Sequence, residues 1–199
     1  MGTDEVRSFV AITLAGDGRT AVEALLKRLQ AEATGIAWTK PENLHITLKF
    51  LGLVTPERLE ALGTSLAAVA AGQTAFALDV RGIGGFPSLA RPRAFWVGVE
   101  SPSLGSLAAA VDAACASHGF LRETRPFRAH VTLGRVRRSA ARGRGRPAPL
   151  PLDALVEEGD AVFGRSPADA LTLFRSDLGP GGARHSPLGS WSFDQERDQ

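Results

Sequence analysis

The sequence predicts a mixed α+β fold made of two related halves, and three observations carry that reading. Strand-like and helix-like periodicities succeed one another as strand, helix, strand, helix, then strands, helix and more strands, which is not the regular alternation of a parallel doubly wound sheet. A five-residue segment, Leu44-His45-Ile46-Thr47-Leu48, returns a little under half the chain length later as Ala129-His130-Val131-Thr132-Leu133. Such an echo is what a duplicated, pseudo-symmetric fold leaves behind. Finally, no glycine-rich loop follows a strand and opens a helix, so a phosphate cradle of that kind is not expected.

Each element has its own warrant. Residues 7–14 alternate in part between apolar and polar and predict a strand. Val22, Leu25, Leu26 and Leu29 fall at helical spacing and predict a helix over 20–34. The stretch from Trp38 to Asn43, with its proline, reads as a connector, and residues 44–50 alternate cleanly as a strand. Thr55-Pro56-Glu57 is a helix start, with a capping hydroxyl, proline in the first turn and an acid near the positive end of the dipole. That helix runs to about Ala71 and stops at Gly72. Strands are expected at 74–81 and 94–100 around a Gly/Pro loop at 82–92. An alanine-rich helix over 103–118 ends at Gly119, and a strand follows at 129–136. Residues 139–151 read as a loop, 158–164 and 170–176 as strands, and Gly179-Pro180-Gly181-Gly182 as a turn into a last strand ending near Phe193, with Gln195–Gln199 frayed.

Composition narrows the class. The 199 residues suit one domain, or two small lobes sharing a core, and an apolar fraction of 44% suffices for a stable fold. Cys115 is the sole cysteine and cannot form an internal disulfide. No basic-then-apolar leader is evident, and no apolar run approaches the roughly 20 residues of a membrane span. The cytoplasm is therefore the expected compartment and a monomer the expected state. All but three (Lys27, Lys40, Lys49) of the 23 basic residues are arginine, the side chain suited to bidentate phosphate contacts. Base composition of the genome would enrich arginine equally well.

The echoed segments carry the chemistry. In a strand, residues i and i+2 share a face. His45 therefore lies beside Thr47, and His130 beside Thr132, while Ile46, Leu48 and Phe50 in one copy and Val131 and Leu133 in the other take the opposite, buried face. Side by side, the two strands would line a cleft with two imidazoles and two hydroxyls. Opening a cyclic phosphodiester needs a base to deprotonate water and an acid to protonate the departing oxygen, and imidazole serves either role near neutrality. The hydroxyls can donate to the non-bridging oxygens. A lone histidine on a strand is more often a packed or surface residue; the matched pair is what favours catalysis. Two histidines are too few for an ordinary zinc site, and no serine sits in a nucleophile elbow.

At these residues the chain resembles the 2H phosphoesterase superfamily, and within it the RNA 2′,3′-cyclic phosphodiesterases, also called 2′-5′ RNA ligases. The resemblance rests on Pro41 through Gly52, on Arg125-Pro126-Phe127 leading into His130-Val131-Thr132-Leu133, on Phe9-Val10-Ala11-Ile12, on Gly85-Phe86-Pro87 with Arg93 and Trp96, and on Leu173-Phe174-Arg175-Ser176 with the turn after it. It implies a single domain over residues 1–199, bilobal and pseudo-symmetric, with two antiparallel sheets around a central cleft, helices outside, and one H-x-T strand from each lobe. It also implies metal-independent hydrolysis of 2′,3′-cyclic phosphate RNA ends to 2′-phosphates, without a cofactor. By position, His45 is then the proton donor and His130 the proton acceptor, with Thr47, Thr132 and Arg135 holding the phosphate. Two positions depart from the family pattern: Ala129 stands where proline is common, and His185 where tyrosine is. Ligation at the same site and a non-catalytic RNA-binding role are the alternatives.

The remaining candidates have plain readings beside them. Strict alternation puts Arg135 on the buried face, so it reaches the cleft only if the strand ends or bulges at Gly134. Arg137, Arg138, Arg142, Arg144 and Arg146 would guide RNA or form a solvated loop. His118 ends a helix where the dipole favours it, and Cys115 belongs to a core. Trp38, Phe86 and Trp96 would stack on a base or pack inside.

Overall fold

The computed structural model describes residues 5–137, 160–179 and 182–195. The elements are β1 (Val6–Thr13), α1 (Gly16–Glu32), β2 (Ile36–Trp38), a 3-10 turn (Pro41–Asn43), β3 (His45–Val54), α2 (Pro56–Ala71), β4 (Phe76–Phe86), β5 (Ala94–Glu100), α3 (Pro102–Ser117), β6 (His130–Val136), β7 (Val162–Ala168), β8 (Ala170–Gly179) and β9 (Gly182–Ser192). The expected loop at 139–151, Arg138, Arg142, Arg144 and Arg146, the Pro180-Gly181 corner and most of the 195–199 tail lie outside the described residues.

The strands form one curled antiparallel sheet in the order β7-β4-β5-β6-β3-β1-β8-β9. Its two halves, β3-β1-β8-β9 and β6-β5-β4-β7, meet at β3 and β6 through one residue pair, Ile46 opposite Val131. These residues occupy the same place in the two echoed segments, so the pseudo-symmetry axis passes between them. The halves part on either side of this pair. Short β2 enters the wedge on one side and pairs with Gly134–Val136 of β6.

Helices cover the apolar face. Val22, Leu25, Leu26 and Leu29 of α1, Leu59, Leu62 and Leu66 of α2, and Leu104, Leu107, Val111 and Cys115 of α3 are all buried. They share one core with Ile46, Leu48, Val131 and Leu133 of the central strands. Lys49 is drawn into this side as well: its ammonium donates to Asp112 Oδ1 of α3 and to the Leu121 carbonyl, both at 2.6 Å. His118 closes α3 and shares a 2.8 Å hydrogen bond between its Nε2 and Ser65 Oγ of α2.

Several expectations need correction. The connector at Trp38 begins inside a strand, β2, too short to show periodicity. The Gly/Pro loop starts later than expected, because β4 continues through Gly82–Phe86 with an irregularity between Arg81 and Ile83. Thr55 is the N-cap of α2, but its side chain makes no capping bond to the backbone. Phe50 is not on the buried face; the reason lies in the central strands.

Candidate active site

Both central strands carry a bulge at the same place. Along β3, Val10 of β1 faces Lys49 and Ala11 faces Thr47, so Leu48 is the extra residue. Along β6, Phe95 of β5 faces Gly134 and Trp96 faces Thr132, so Leu133 is the extra residue. Each bulge falls three residues after its histidine and reverses the alternation beyond it. Lys49 and Gly134 then point away from the cleft side, while Phe50 and Arg135, each five residues after a histidine, turn onto it. The bulge is one residue earlier than the glycine that permits the strand to bend. Gly134 plays a separate part. A Cβ there would come within 2.9 Å of the Trp38 ring, so its absence lets β2 lie close.

The cleft has a volume of about 480 Å³, a size that accommodates a nucleotide. Its walls include His45, Thr47, His130, Thr132 and Arg135, all five expected residues, together with Phe50, Asn43, Lys40, Ser176 and His185. The antiparallel register about Ile46 and Val131 sets Thr132 across from His45 and Thr47 across from His130.

The two imidazoles are held alike. His45 Nδ1–H donates to the Asn43 carbonyl at 2.6 Å, and His130 Nδ1–H donates to the Arg128 carbonyl at 2.7 Å. In each case the acceptor is the carbonyl two residues back, which fixes the tautomer and leaves Nε2 for the cleft. The Thr47 hydroxyl donates to His45 Nε2 at 3.1 Å. Aromatic rings wedge each histidine in place. His45 stacks on Phe9 with centroids 4.8 Å apart and meets His185 edge-on at 5.3 Å. His130 meets Phe86 at 5.0 Å and Trp96 at 6.2 Å. Phe86 and Trp96 therefore pack against a cleft histidine rather than presenting a free face.

Burial sets the protonation of the empty cleft. It lowers His45 to about 4, against the stabilising hydrogen bond to Asn43 and with smaller contributions from His185 and His130. Burial also lowers His130, opposed by the Arg128 carbonyl and helped by the Arg135 charge. His185 is lowered by burial as well. All three are thus neutral near pH 7. Among the described residues, no group of three or more His, Cys, Asp or Glu side chains is placed to hold a metal ion.

Two contributors escaped the sequence reading. His185 joins the cleft from β9, and its Nδ1 is buried without a hydrogen-bond partner among the described residues. Asn43 is buried and donates through Nδ2 to the Ala183 carbonyl at 2.8 Å, so it ties the β9 end of the hairpin to the residue whose own carbonyl orients His45. The departure from a tyrosine pattern at position 185 was the available signal for the first; nothing local marks the second.

Comparison with known proteins places this geometry. The family model described as LigT-like phosphoesterase matches residues 12–96. The chain is 34% identical over 184 residues to the RNA 2′,3′-cyclic phosphodiesterase of Archaeoglobus fulgidus, covering 92% of this chain and 98% of that protein. The chain belongs to this LigT-like phosphoesterase family. Another relative, the RNA 2′,3′-cyclic phosphodiesterase of Methanothermobacter thermautotrophicus, is 31% identical over 92% of this chain and 97% of its own length. Among solved structures, TT0787 of Thermus thermophilus superposes with a TM-score of 0.74 at 26% identity, over 96% of this chain and all of that one. Escherichia coli LigT complexed with 3′-AMP superposes with a TM-score of 0.72 at 25% identity, over 96% and 99% of the two chains. The mixed α+β architecture of two related halves, expected from the echoed segments, is thus that of the LigT-like fold. No helix among the described residues is long and apolar enough to cross a membrane.

Proposed function

We propose that this LigT-like phosphoesterase hydrolyses 2′,3′-cyclic phosphate ends of RNA to 2′-phosphomonoesters by proton transfer between two histidines, without metal. One observation carries the reading: two imidazoles, one from each pseudo-symmetric strand and each locked by Nδ1 to a carbonyl two residues back, line one cleft. In-line displacement at phosphorus needs that disposition, with a base behind the attacking water and an acid behind the departing oxygen.

His130, neutral near pH 7, accepts a proton from water at Nε2 as the water oxygen bonds to phosphorus. The bond from phosphorus to the 3′ oxygen breaks on the opposite side, and His45, which takes up a proton at Nε2 when the phosphate binds, gives that proton to the leaving oxygen. Thr47 and Thr132 donate to the non-bridging oxygens, and Arg135, which has no ion-pair partner among the described residues, balances their charge. The names of the Archaeoglobus and Methanothermobacter relatives support the substrate class. Residues 1–199 act as one domain, each half supplying one H-x-T strand. The cytoplasm is the compartment this reading favours, consistent with a lone cysteine buried in the core.

Incubation with adenosine 2′,3′-cyclic phosphate, with and without excess chelator, tests this. Conversion to the 2′-monophosphate in both arms is expected. Loss of turnover with chelator, restored by zinc or magnesium, would refute the mechanism; a 3′-monophosphate product would exchange the two histidine roles.

A further inference from the structure

Two buried polar atoms in the cleft wall have no hydrogen-bond partner among the described residues, Asn43 Oδ1 and His185 Nδ1. Both belong to the place where β9 meets the residues before β3. Asn43 Nδ2 donates to the Ala183 carbonyl at 2.8 Å, and His185 follows two residues later on β9. Ala183 and His185 both line the cleft. A buried polar atom left unpaired is costly, and the tautomer of His185 decides how costly the pair is. With the proton on Nδ1, a donor shares the wall with the Asn43 oxygen; with the proton on Nε2, two lone pairs share it. Nδ1–H is also the tautomer of His45 and His130. Nε2 of His185 is then a lone pair facing the cleft, unpartnered among the described residues. Burial favours the neutral ring, so this lone pair persists near pH 7. A lone pair repels a phosphate oxygen and receives a hydroxyl.

His185 stands on the His45 side of the cleft. Its ring meets His45 edge-on at 5.3 Å and Phe9 at 4.9 Å. The hydroxyl that arises on this side is the one formed when the bond from phosphorus to the 3′ oxygen breaks and His45 protonates that oxygen. We propose that His185 Nε2 accepts a hydrogen bond from this 3′ hydroxyl and so recognises the ribose of the product, an inference that rests on the phosphodiesterase reading above. The product then has separate partners for its two groups: Thr47, Thr132 and Arg135 for the phosphate oxygens, and His185 for the hydroxyl. A hydroxyl turned toward His185 also points its proton away from His45 Nε2, the base that ring closure would need, so the contact favours hydrolysis over its reversal. Asn43 positions both imidazoles of this side. Its carbonyl holds His45 Nδ1–H, and its side chain anchors the strand that bears His185.

The test is titration calorimetry with adenosine 2′-monophosphate and with 3′-deoxyadenosine 2′-monophosphate, which lacks only the hydroxyl in question. The wild-type protein is expected to bind the first about tenfold more tightly, the worth of one good hydrogen bond. His185→Phe keeps a ring against His45 and Phe9 and should cut the preference to about twofold, leaving affinity for the deoxy compound near that of the wild type. His185→Gln, which keeps an acceptor oxygen, should restore most of the preference. Equal wild-type affinity for the two compounds, or an undiminished preference in His185→Phe, overturns the hydroxyl contact. An equal loss on both compounds does so too, since it marks a phosphate contact or packing alone. Turnover of adenosine 2′,3′-cyclic phosphate, followed in the same preparations, keeps the two readings apart. A wild-type protein that turns it over but ignores the 3′ hydroxyl loses only this contact; one that does not turn it over loses the phosphodiesterase reading and this contact with it.

Discussion

If His45 is the proton donor, it must gain a proton when substrate arrives, and the structure sets the size of that change. In the empty cleft burial holds His45 down to about 4, and its Nε2 accepts a hydrogen bond from Thr47. A phosphodiester brings one negative charge. At about 4 Å and an effective dielectric of about 20, that charge favours the imidazolium by about 4 kcal/mol, equivalent to about three pH units. His45 would then titrate near 7 in the complex. Binding must therefore take up about one proton at pH 6, and affinity should rise as pH falls from 7, by up to about tenfold per pH unit, levelling off below about 4. The measurement uses His130→Ala, which should bind adenosine 2′,3′-cyclic phosphate without consuming it. Titration calorimetry in two buffers of different ionisation enthalpy counts the protons, and NMR of the imidazole carbon-bound protons follows His45 directly. A His45 that titrates near 6.5 in the free protein refutes the burial argument. One that stays near 4 in the complex refutes its role as acid.

Other expectations follow from the same geometry. His45→Ala and His130→Ala should each lower single-turnover rates on the order of 10²-fold or more, with the double variant only slightly worse than either, while Thr47→Ala and Thr132→Ala lose less; a folded His130→Ala protein with near-normal turnover would sink the two-histidine mechanism. Arg135→Ala should raise KM on the order of tenfold, since one charge-assisted contact to phosphate is lost, and added salt should narrow the gap to wild type. Lys49→Met should cost about 2 kcal/mol in urea denaturation, because Asp112 and the Leu121 carbonyl each lose their charged donor on the core side of β3, while Asp112 keeps Arg122 and the Glu123 N–H. Burial alone would raise the Asp112 carboxyl, but hydrogen bonds from Lys49 and the Glu123 N–H, with the charges of Lys49 and Arg122, hold it below its ordinary value. Its contribution is therefore complete above the ordinary carboxylate range and lost as pH falls through the lowered value; Lys49→Met should flatten that acid limb, and an unchanged limb would show that the pair does not hold Asp112.

Much of the fold and the chemistry is legible in residue order because both rest on local periodicity. Alternation in Leu44–Leu48 and Ala129–Leu133 put one histidine and one threonine on each polar face, and helical spacing of Val22, Leu25, Leu26 and Leu29 marked the covering face of α1. These features depend on φ/ψ repeats that each segment carries within itself. Local periodicity also explains the misreadings. Strict alternation places Phe50 in the core and Arg135 on the buried face because it cannot foresee an extra residue. The bulges at Leu48 and Leu133 exist only where β1 and β5 pair alongside. Likewise β2 is three residues long and becomes a strand only against β6. The depressed protonation of His45 arises from burial among Phe9 and His185, residues far apart in sequence. Residue order by itself picks out the groups proposed to do the chemistry. Strand pairing decided which way they point, and packing decided which proton each one carries, because register and desolvation are properties of neighbours that the chain brings together only on folding.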